Sequence, residues 1–534
     1  MAPVATEPTI DAVVPSKAGP TTRLPVTLLS GFLGAGKTTL LERILTSPDH
    51  GLRIGVIVND VGALNIDAAL LANHEVTKKE EQVVAMQNGC ICCTLRGDLL
   101  EEVARLAQQG SVDYLVIESS GVSEPMQVAE TFSEEFAEMH IAAAEDVKAS
   151  TEGDLEQNAR LADILAAGGL SQVARLDTCV TLVDAVNFMS DFATADFLVD
   201  RHDKKDVPEE DDRNISDLQT DQVEFADVVV INKCDLVRPD EVAKVTTMVK
   251  TLNPGAKIIT SIKSNVDVKQ ILDTKMFSYE KAALGAGWLK SLQEEINPET
   301  EEYGIGTFVY RARRPFHPAR LWETIKSVFV VIQEEYIDDG VNEEEGDDDD
   351  ETMEEEEEQE DNEMDIDERQ PQLNPRARLA SKQADATFGP LLRSKGFMWL
   401  ATRPKMFGEW SQAGVMLTIS GGDRWRCEVP KDEWPEDPQI RASILRDFDG
   451  KWKDRRQEIV FIGQQMKTGG GEMRIRDAMD RCLLTNHEME LWEKAMNLRG
   501  GEERIQAKLD ELFEDGFEDW PDMSHEGHDH DHAH

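Results

Sequence analysis

The chain has 534 residues, too many for a single hydrophobic core, so two or three domains are expected. Its net charge is −49, and Asp338 to Glu368 holds 21 carboxylates without one Lys or Arg. The remainder is still acidic, which argues against a nucleic-acid partner. No apolar run reaches the ~18 residues a membrane helix needs, so no membrane partner is expected. Residues 1–23 lack both an apolar signal core and an Arg-rich amphipathic pattern, and read as a disordered tail. Seven cysteines, three of them crowded at 90, 92 and 93, fit a reducing, cytoplasmic or nuclear compartment rather than a disulfide framework.

The first ordered stretch is the most informative. Val26 to Leu29 reads as a strand, Gly31 to Thr38 matches G-x-x-x-x-G-K-T, and an apolar helical pattern continues to Thr46. A strand, a glycine-rich turn and a helix start are the context a P-loop requires. Gly31, Gly34 and Gly36 let backbone N–H groups turn toward a phosphate without Cβ clashes, and Ala35 is a nucleotide-binding position of the same turn. Lys37 is placed to reach the outer phosphates, the Thr38 hydroxyl to hold Mg²⁺, and Thr39 to continue the phosphate-binding turn.

Arg53 to Val58 reads as a buried strand ending in Asn59-Asp60-Val61-Gly62. Asp60 is a candidate Mg²⁺-side residue in a switch loop, with an ordinary Asx turn as the alternative. Gln82 to Met86 is expected to be a strand, and Leu99 to Leu106 has helical spacing. Between them Cys90, Cys92 and Cys93 fall in a turn before a helix, where the helix dipole favours thiolate. Soft thiolates at this spacing suit Zn²⁺ or another thiophilic ion. Small buried residues or a redox pair are the alternatives. Val112 to Ile117 is a further strand, running into Glu118-Ser119-Ser120-Gly121; an acid at that strand end suits the Mg²⁺ water shell.

Residues 133–170 are acidic and Ala-rich and are expected to be a helical insertion. Thr178 to Val183 is a strand ending at Asp184, and Arg201 to Arg213 a charged loop. Ala226 to Ile231 leads directly into Asn232-Lys233-Cys234-Asp235. This N-K-x-D pattern selects guanine: Asp235 accepts from its N1–H and exocyclic amine, whereas adenine would leave a buried charge unpaired. Lys233 is expected along the ring, with Asn232 tying this loop to the P-loop. Lys257 to Thr260 and Ser261 form the last strand and a second base-side loop. Alternating strands and helices predict an α/β P-loop NTPase fold with a doubly wound, mainly parallel sheet.

From Gly304 the pattern changes to strands and helices in mixed order, a smaller α+β domain. Strands are expected at Thr307 to Arg311, Gly396 to Thr402, Val415 to Ser420, Arg424 to Val429 and Ile459 to Ile462. Helices are expected at His317 to Val331, Ile475 to Leu484 and His487 to Met496, and Trp399, Trp410, Trp425 and Trp434 as core or interface residues. The resulting boundaries are a tail at 1–23, a nucleotide domain at 24–280 and a linker at 281–303. The second domain spans 304–495, interrupted by an acidic disordered insert at about 338–387. An acidic, His-rich tail follows at 496–534; its five closing histidines, alternating with carboxylates, suit loose binding of borderline metals, with a solvated tail that holds no ligand as the alternative.

Taken together, G-F-L-G-A-G-K-T-T, C-I-C-C, E-S-S-G, N-K-C-D, R-P-F-H-P (Arg314 to Pro318) and R-R-Q-E-I-V-F-I-G (Arg455 to Gly463) resemble the CobW-type family of P-loop GTPases, the metallochaperone group. The resemblance spans 24–495 apart from the insertions. It implies GTP as nucleotide, Mg²⁺, Zn²⁺ or Co²⁺ on Cys90, Cys92 and Cys93, a CobW C-terminal domain, and delivery of metal to a client metalloenzyme. Catalytic roles carry over to Lys37, Thr38 and Glu118, with slow intrinsic turnover because no arginine finger is evident. The family's eukaryotic zinc-transferase branch docks methionine aminopeptidase through a Cys-Pro motif in its tail. Residues 1–23 hold no cysteine, so that client does not carry over. A regulatory GTP-binding module with structural or redox thiols, and a cobalt-delivery factor for cobalamin synthesis, are the competing readings.

Overall fold

The computed structural model describes residues 23–47, 50–58, 75–78, 97–133, 162–166, 168–198, 214–279, 304–333, 375–431, 434, 438–499 and 501–520. These form two compact units that divide between Thr307 and Phe308.

In the first unit the apolar runs become strands β1 (Leu24–Gly31), β2 (Ile54–Val58), β3 (Glu75–Lys78), β4 (Tyr114–Glu118), β5 (Ala174–Asp184), β6 (Val228–Asn232) and β7 (Lys257–Thr260). They pair in parallel in the order β3-β2-β4-β1-β5-β6-β7. Strands covered on both faces need no polar alternation, which is why they read as near-continuous Val, Ile and Leu. Successive side chains point to opposite faces. Thus Leu28, Leu115 and Ile117 join one core with Leu100, Val103 and Leu106 of the helix Gly97–Gln109. Leu29, Val116 and Val180 join the other with Leu40, Leu41 and Ile44 of the helix Lys37–Thr46. With β1 at the centre, its C-terminal end opens on the crevice where such sheets bind ligands.

The second unit carries a mixed sheet of β8 (Ile305–Ala312), β9 (Val330–Gln333), β10 (Leu391–Met398), β11 (Met406–Ala413), β12 (Met416–Arg424) and β13 (Gln457–Gln464). Their order is β8-β13-β10-β11-β12-β9, with β12–β9 parallel and β13–β10–β11–β12 antiparallel. Leu321 and Ile325 from the helix Pro318–Lys326, and Ile475 and Met479 from Gly471–Cys482, pack in one core with Trp410 and Phe461. A second cluster joins Trp399, Trp425 and Trp492 with Leu509 and Phe513. The indole N–H groups of Trp410 and Trp492 donate to Ser394 Oγ and the Ala401 carbonyl, both at 2.8 Å.

Several expectations change. The helix expected to reach Val331 stops at Lys326, because the β-branched run Val330 to Ile332 enters the sheet as β9. No strand runs from Arg424 to Val429: Asp454 takes the N–H groups of Arg426 and Cys427 at 2.6 and 3.1 Å, removing them from any ladder. Two strands, β3 and β11, were not expected at all. Inside the range assigned to the disordered insert, Pro375–Ala384 is a helix, with Lys382 buried and donating to the Leu391 carbonyl at 2.6 Å. The range assigned to the C-terminal tail contains the helix Glu502–Leu512, and Leu509, Phe513 and Phe517 are buried in the second unit. Segments 1–22, 281–303 and 338–374, the expected strand Gln82 to Met86 and the terminal histidines lie outside the described residues. Among the described residues no helix is long and apolar enough to cross a membrane.

Arg320 grips both Glu488 carboxylate oxygens at 2.8 Å, while the same carboxylate caps Thr485 N at 2.7 Å. The Arg320 hydrogen bonds, reinforced by that cap, hold the Glu488 carboxyl down at about 2. A depressed carboxyl stabilises the fold above its ordinary value of 4.5, and the contribution is lost as pH falls toward about 2. Glu488→Gln should therefore lower the thermal midpoint at neutral pH and converge with the parent chain in acid. Parallel midpoint-against-pH curves for the two proteins would contradict this.

Candidate functional site

β1 ends at Gly31, and Lys37 is already the first residue of the following helix. The turn between them needs left-handed backbone: Gly36 has φ +106°, and a Cβ there would sit 2.5 Å from Asn232 Nδ2. Lys37 folds back over the turn, its Nζ donating to the carbonyls of Gly31 at 2.7 Å and Phe32 at 3.3 Å. Thr38 Oγ1 donates to Glu118 Oε1 at 2.8 Å. The pairing of β1 with β4 sets that meeting, since Leu29 lies opposite Glu118. The loop after β4 presses on the same turn: a Cβ on Gly121 would lie 2.9 Å from Leu33 N and 2.5 Å from its Cδ2. Residues from three separate stretches thus converge at the end of β1.

The other edge of the crevice is built on Asn232, which is almost fully buried. Its Nδ2 donates to the Ala35 carbonyl at 2.9 Å and to Ser264 Oγ at 3.0 Å. Its Oδ1 accepts from Ser264 N and Ser261 Oγ, both at 2.9 Å. Ser264 Oγ in turn donates to the Gly36 carbonyl at 3.0 Å. One amide therefore binds the P-loop, the N-K-C-D loop and the Ser261–Ser264 loop together. Lys233 adopts φ +60° and donates its ammonium to Asp184 at 2.7 Å, while Asp235 is exposed to solvent. Asp184 and Ser264 have roles that the sequence reading did not assign. The weak signal available was their place directly at or beyond the ends of β5 and β7.

Thr38 and Glu118 offer a hydroxyl and a carboxylate side by side, a hard-oxygen donor set that fits Mg²⁺. Asp60 and the three clustered cysteines Cys90, Cys92 and Cys93 lie outside the described residues. Among the described residues no group of three or more His, Cys, Asp or Glu side chains is placed to hold a metal ion. Burial pushes up the thiols of Cys179, Cys234, Cys427 and Cys482, that of Cys427 to about 12. Burial thus disfavours the thiolate form at these four positions.

Residues 25–152 and 150–260 match the profile described as CobW/HypB/UreG, nucleotide-binding domain. Residues 368–483 match the cobalamin synthesis protein cobW C-terminal domain. Zinc-regulated GTPase metalloprotein activator 1 of Dictyostelium discoideum is 36% identical over 475 residues, 88% of this chain and 81% of its own length. Zinc chaperone CobW of Pseudomonas aeruginosa is 29% identical over 257 residues, 47% of this chain and 60% of its own. Among solved structures, the Zn(II)-bound YjiA GTPase from E. coli aligns over 87% of this chain and 100% of its own, at 19% identity and a TM-score of 0.33.

Proposed function

The chain belongs to the CobW/HypB/UreG family of P-loop GTPases, and from that premise we propose that it is a metallochaperone. It hydrolyses GTP. It carries Zn²⁺ as cargo on Cys90, Cys92 and Cys93 and transfers it to client metalloproteins in step with the nucleotide cycle. The observation that carries the nucleotide half is the Asn232 clasp, which draws the guanine-type motif onto the phosphate-type turn. The metal half is supported by relatives named as a zinc-regulated GTPase and a zinc chaperone. It is supported also by the spacing of Cys90, Cys92 and Cys93, which sets three soft thiol donors within four residues.

In this reading the Lys37 ammonium exchanges the carbonyls of Gly31 and Phe32 for phosphate oxygens when GTP enters. Asp235 accepts from guanine's N1–H and amine, and Lys233, anchored at its tip by Asp184, lays its stem along the base. Thr38 and Glu118 would hold Mg²⁺, which would supply neutralisation of the phosphate charge. The Glu118–Gly121 loop, packed on Leu33, then senses whether the outer phosphate is present and biases the conformation of the thiol segment.

The proposal requires Zn²⁺ and nucleotide to be thermodynamically coupled. With a non-hydrolysable GTP analogue bound, Zn²⁺ affinity should differ about tenfold or more from that of the GDP form, within the usual range of such couplings. Competition with a chromophoric chelator measures both constants. Equal affinities in the two nucleotide states would remove the metal-delivery reading, and so would undiminished Zn²⁺ binding after Cys90, Cys92 and Cys93 are all replaced by alanine.

A further inference from the structure

A cavity of about 350 Å³ lies against the P-loop residues Phe32 and Leu33 and the end of β5. Its apolar wall includes Phe32, Leu33 and Phe188, and its polar wall Asp184, Asp191 and Gln219. Lys37, Thr38, Glu118, Asn232 and Asp235 do not line it, yet it borders the nucleotide site, sharing Phe32 and Leu33 with the P-loop and Asp184 with the base-side loop. Its size and its mixture of apolar wall with a few convergent polar groups are those of a small-molecule site.

Gln219 defines its chemistry. The residue is 5% exposed, and its Nε2 donates to Asp191 Oδ2 at 3.3 Å. The other end, Oε1, is buried and has no hydrogen-bond partner among the described residues, on a side chain that lines the cavity. Buried acceptors are seldom left so in native proteins. An unmatched amide oxygen beside the Asp191 carboxylate calls for a positively charged donor, and the Phe188 and Leu33 surfaces call for an apolar body attached to it.

We propose that this cavity is an effector site for a small organic cation, an ammonium or amidinium joined to an apolar body, whose binding changes GTP turnover. The connection is short. Leu33, in the cavity wall, is the residue against which Gly121 packs. Gln222, also in the wall, donates through Nε2 to the carbonyls of Gly121 and Ser123, each at 3.2 Å. An occupant that shifts Leu33 or Gln222 therefore shifts the loop that follows Glu118. The inference rests on GTP hydrolysis alone and is independent of metal delivery.

Benzamidine serves as the probe and acetophenone, of similar shape but with neither donor nor charge, as its control, both on the full chain loaded with GDP. Methyl-labelled NMR spectra should show saturable shifts at Leu33, Val183 and Val223 with benzamidine, with a dissociation constant of about 1 mM, as befits so small a ligand. Acetophenone should produce none. Gln219→Leu should weaken benzamidine about tenfold or more, and Gln219→Glu, which keeps the acceptor and adds charge, should tighten it. GTP turnover should change at least about twofold at saturation, a shift within the usual span of allosteric coupling. Absent or non-saturable shifts, an equal response to acetophenone, or unchanged turnover at saturation would each overturn the proposal. Should Gln219→Leu fail to fold, Gln219→Glu decides alone, and binding no tighter than the parent's would count against the assignment.

Discussion

Replacing Lys37 with alanine is expected to lower GTP turnover about a thousandfold, equivalent to roughly 4 kcal/mol of transition-state stabilisation. The ammonium is preorganised: Lys37 as a residue is 8% exposed, and its Nζ is already held over the turn by the carbonyls of Gly31 and Phe32. Nucleotide therefore meets a charge that needs no long search through rotamers, and phosphate oxygens are better partners for it than neutral carbonyls. Alanine removes both the charge and the stem that carries it. The fold should survive, because the helix Lys37–Thr46 keeps Leu40, Leu41 and Ile44 in the core. Phosphate release measured alongside circular dichroism separates the two effects. A folded Lys37→Ala protein that retains turnover within tenfold of the parent would show that the P-loop lysine is not the principal phosphate contact.

The second large effect is expected at Asn232. Alanine there removes two donations and two acceptances at a site 2% exposed, stranding the Ala35 carbonyl and the Ser264 N–H. Each buried group left unpaired costs about 1–3 kcal/mol, so a net loss of about 3 kcal/mol in stability is expected. Because the same amide aligns the base-side loops with the phosphate turn, GTP affinity should fall about a hundredfold as well, near 2.7 kcal/mol. Asn232→Asp is the informative companion. It keeps an acceptor for Ser264 N but places a carboxylate against the Ala35 carbonyl, so it should lose GTP affinity at least as severely. Denaturant unfolding and fluorescent-nucleotide titration check the two quantities. A variant that loses stability while binding GTP normally would assign Asn232 to scaffolding alone.

How much was legible before the structure follows from where each signal resides. The P-loop and N-K-C-D turn were readable because their signals are local: a strand, then special residues, then a helix within a few positions. That Thr38 meets Glu118 follows from strand order, which alternating β and α elements imply. The Lys233–Asp184 and Ser264–Gly36 contacts were not readable, since they join chain positions 49 and 228 apart and depend on which loops end side by side. In the second unit composition misled. Glu502–Leu512 was assigned to a tail for its charge, yet Ile505, Leu509 and Leu512 recur at helical spacing and pack with Trp399 and Trp492. The stripe was present; its acidic neighbours concealed it. Likewise β11 alternates poorly because Gly408 must be bare where Trp520 packs, a Cβ there falling 2.4 Å from that ring.

The strand order of the second unit also constrains how the protein is made. Among the described strands β8 pairs with β13 alone, and Leu509, Phe513 and Phe517 are buried core residues well beyond both. A nascent polypeptide halted before Gln457 leaves β8 with no strand to pair with, however much of the earlier sheet has emerged. The N-terminal sheet, by contrast, has its last strand by Thr260. Translation therefore delivers the GTP-binding half early enough to fold on the ribosome, whereas its companion finishes only after β13 and the stretch carrying Leu509, Phe513 and Phe517 have emerged.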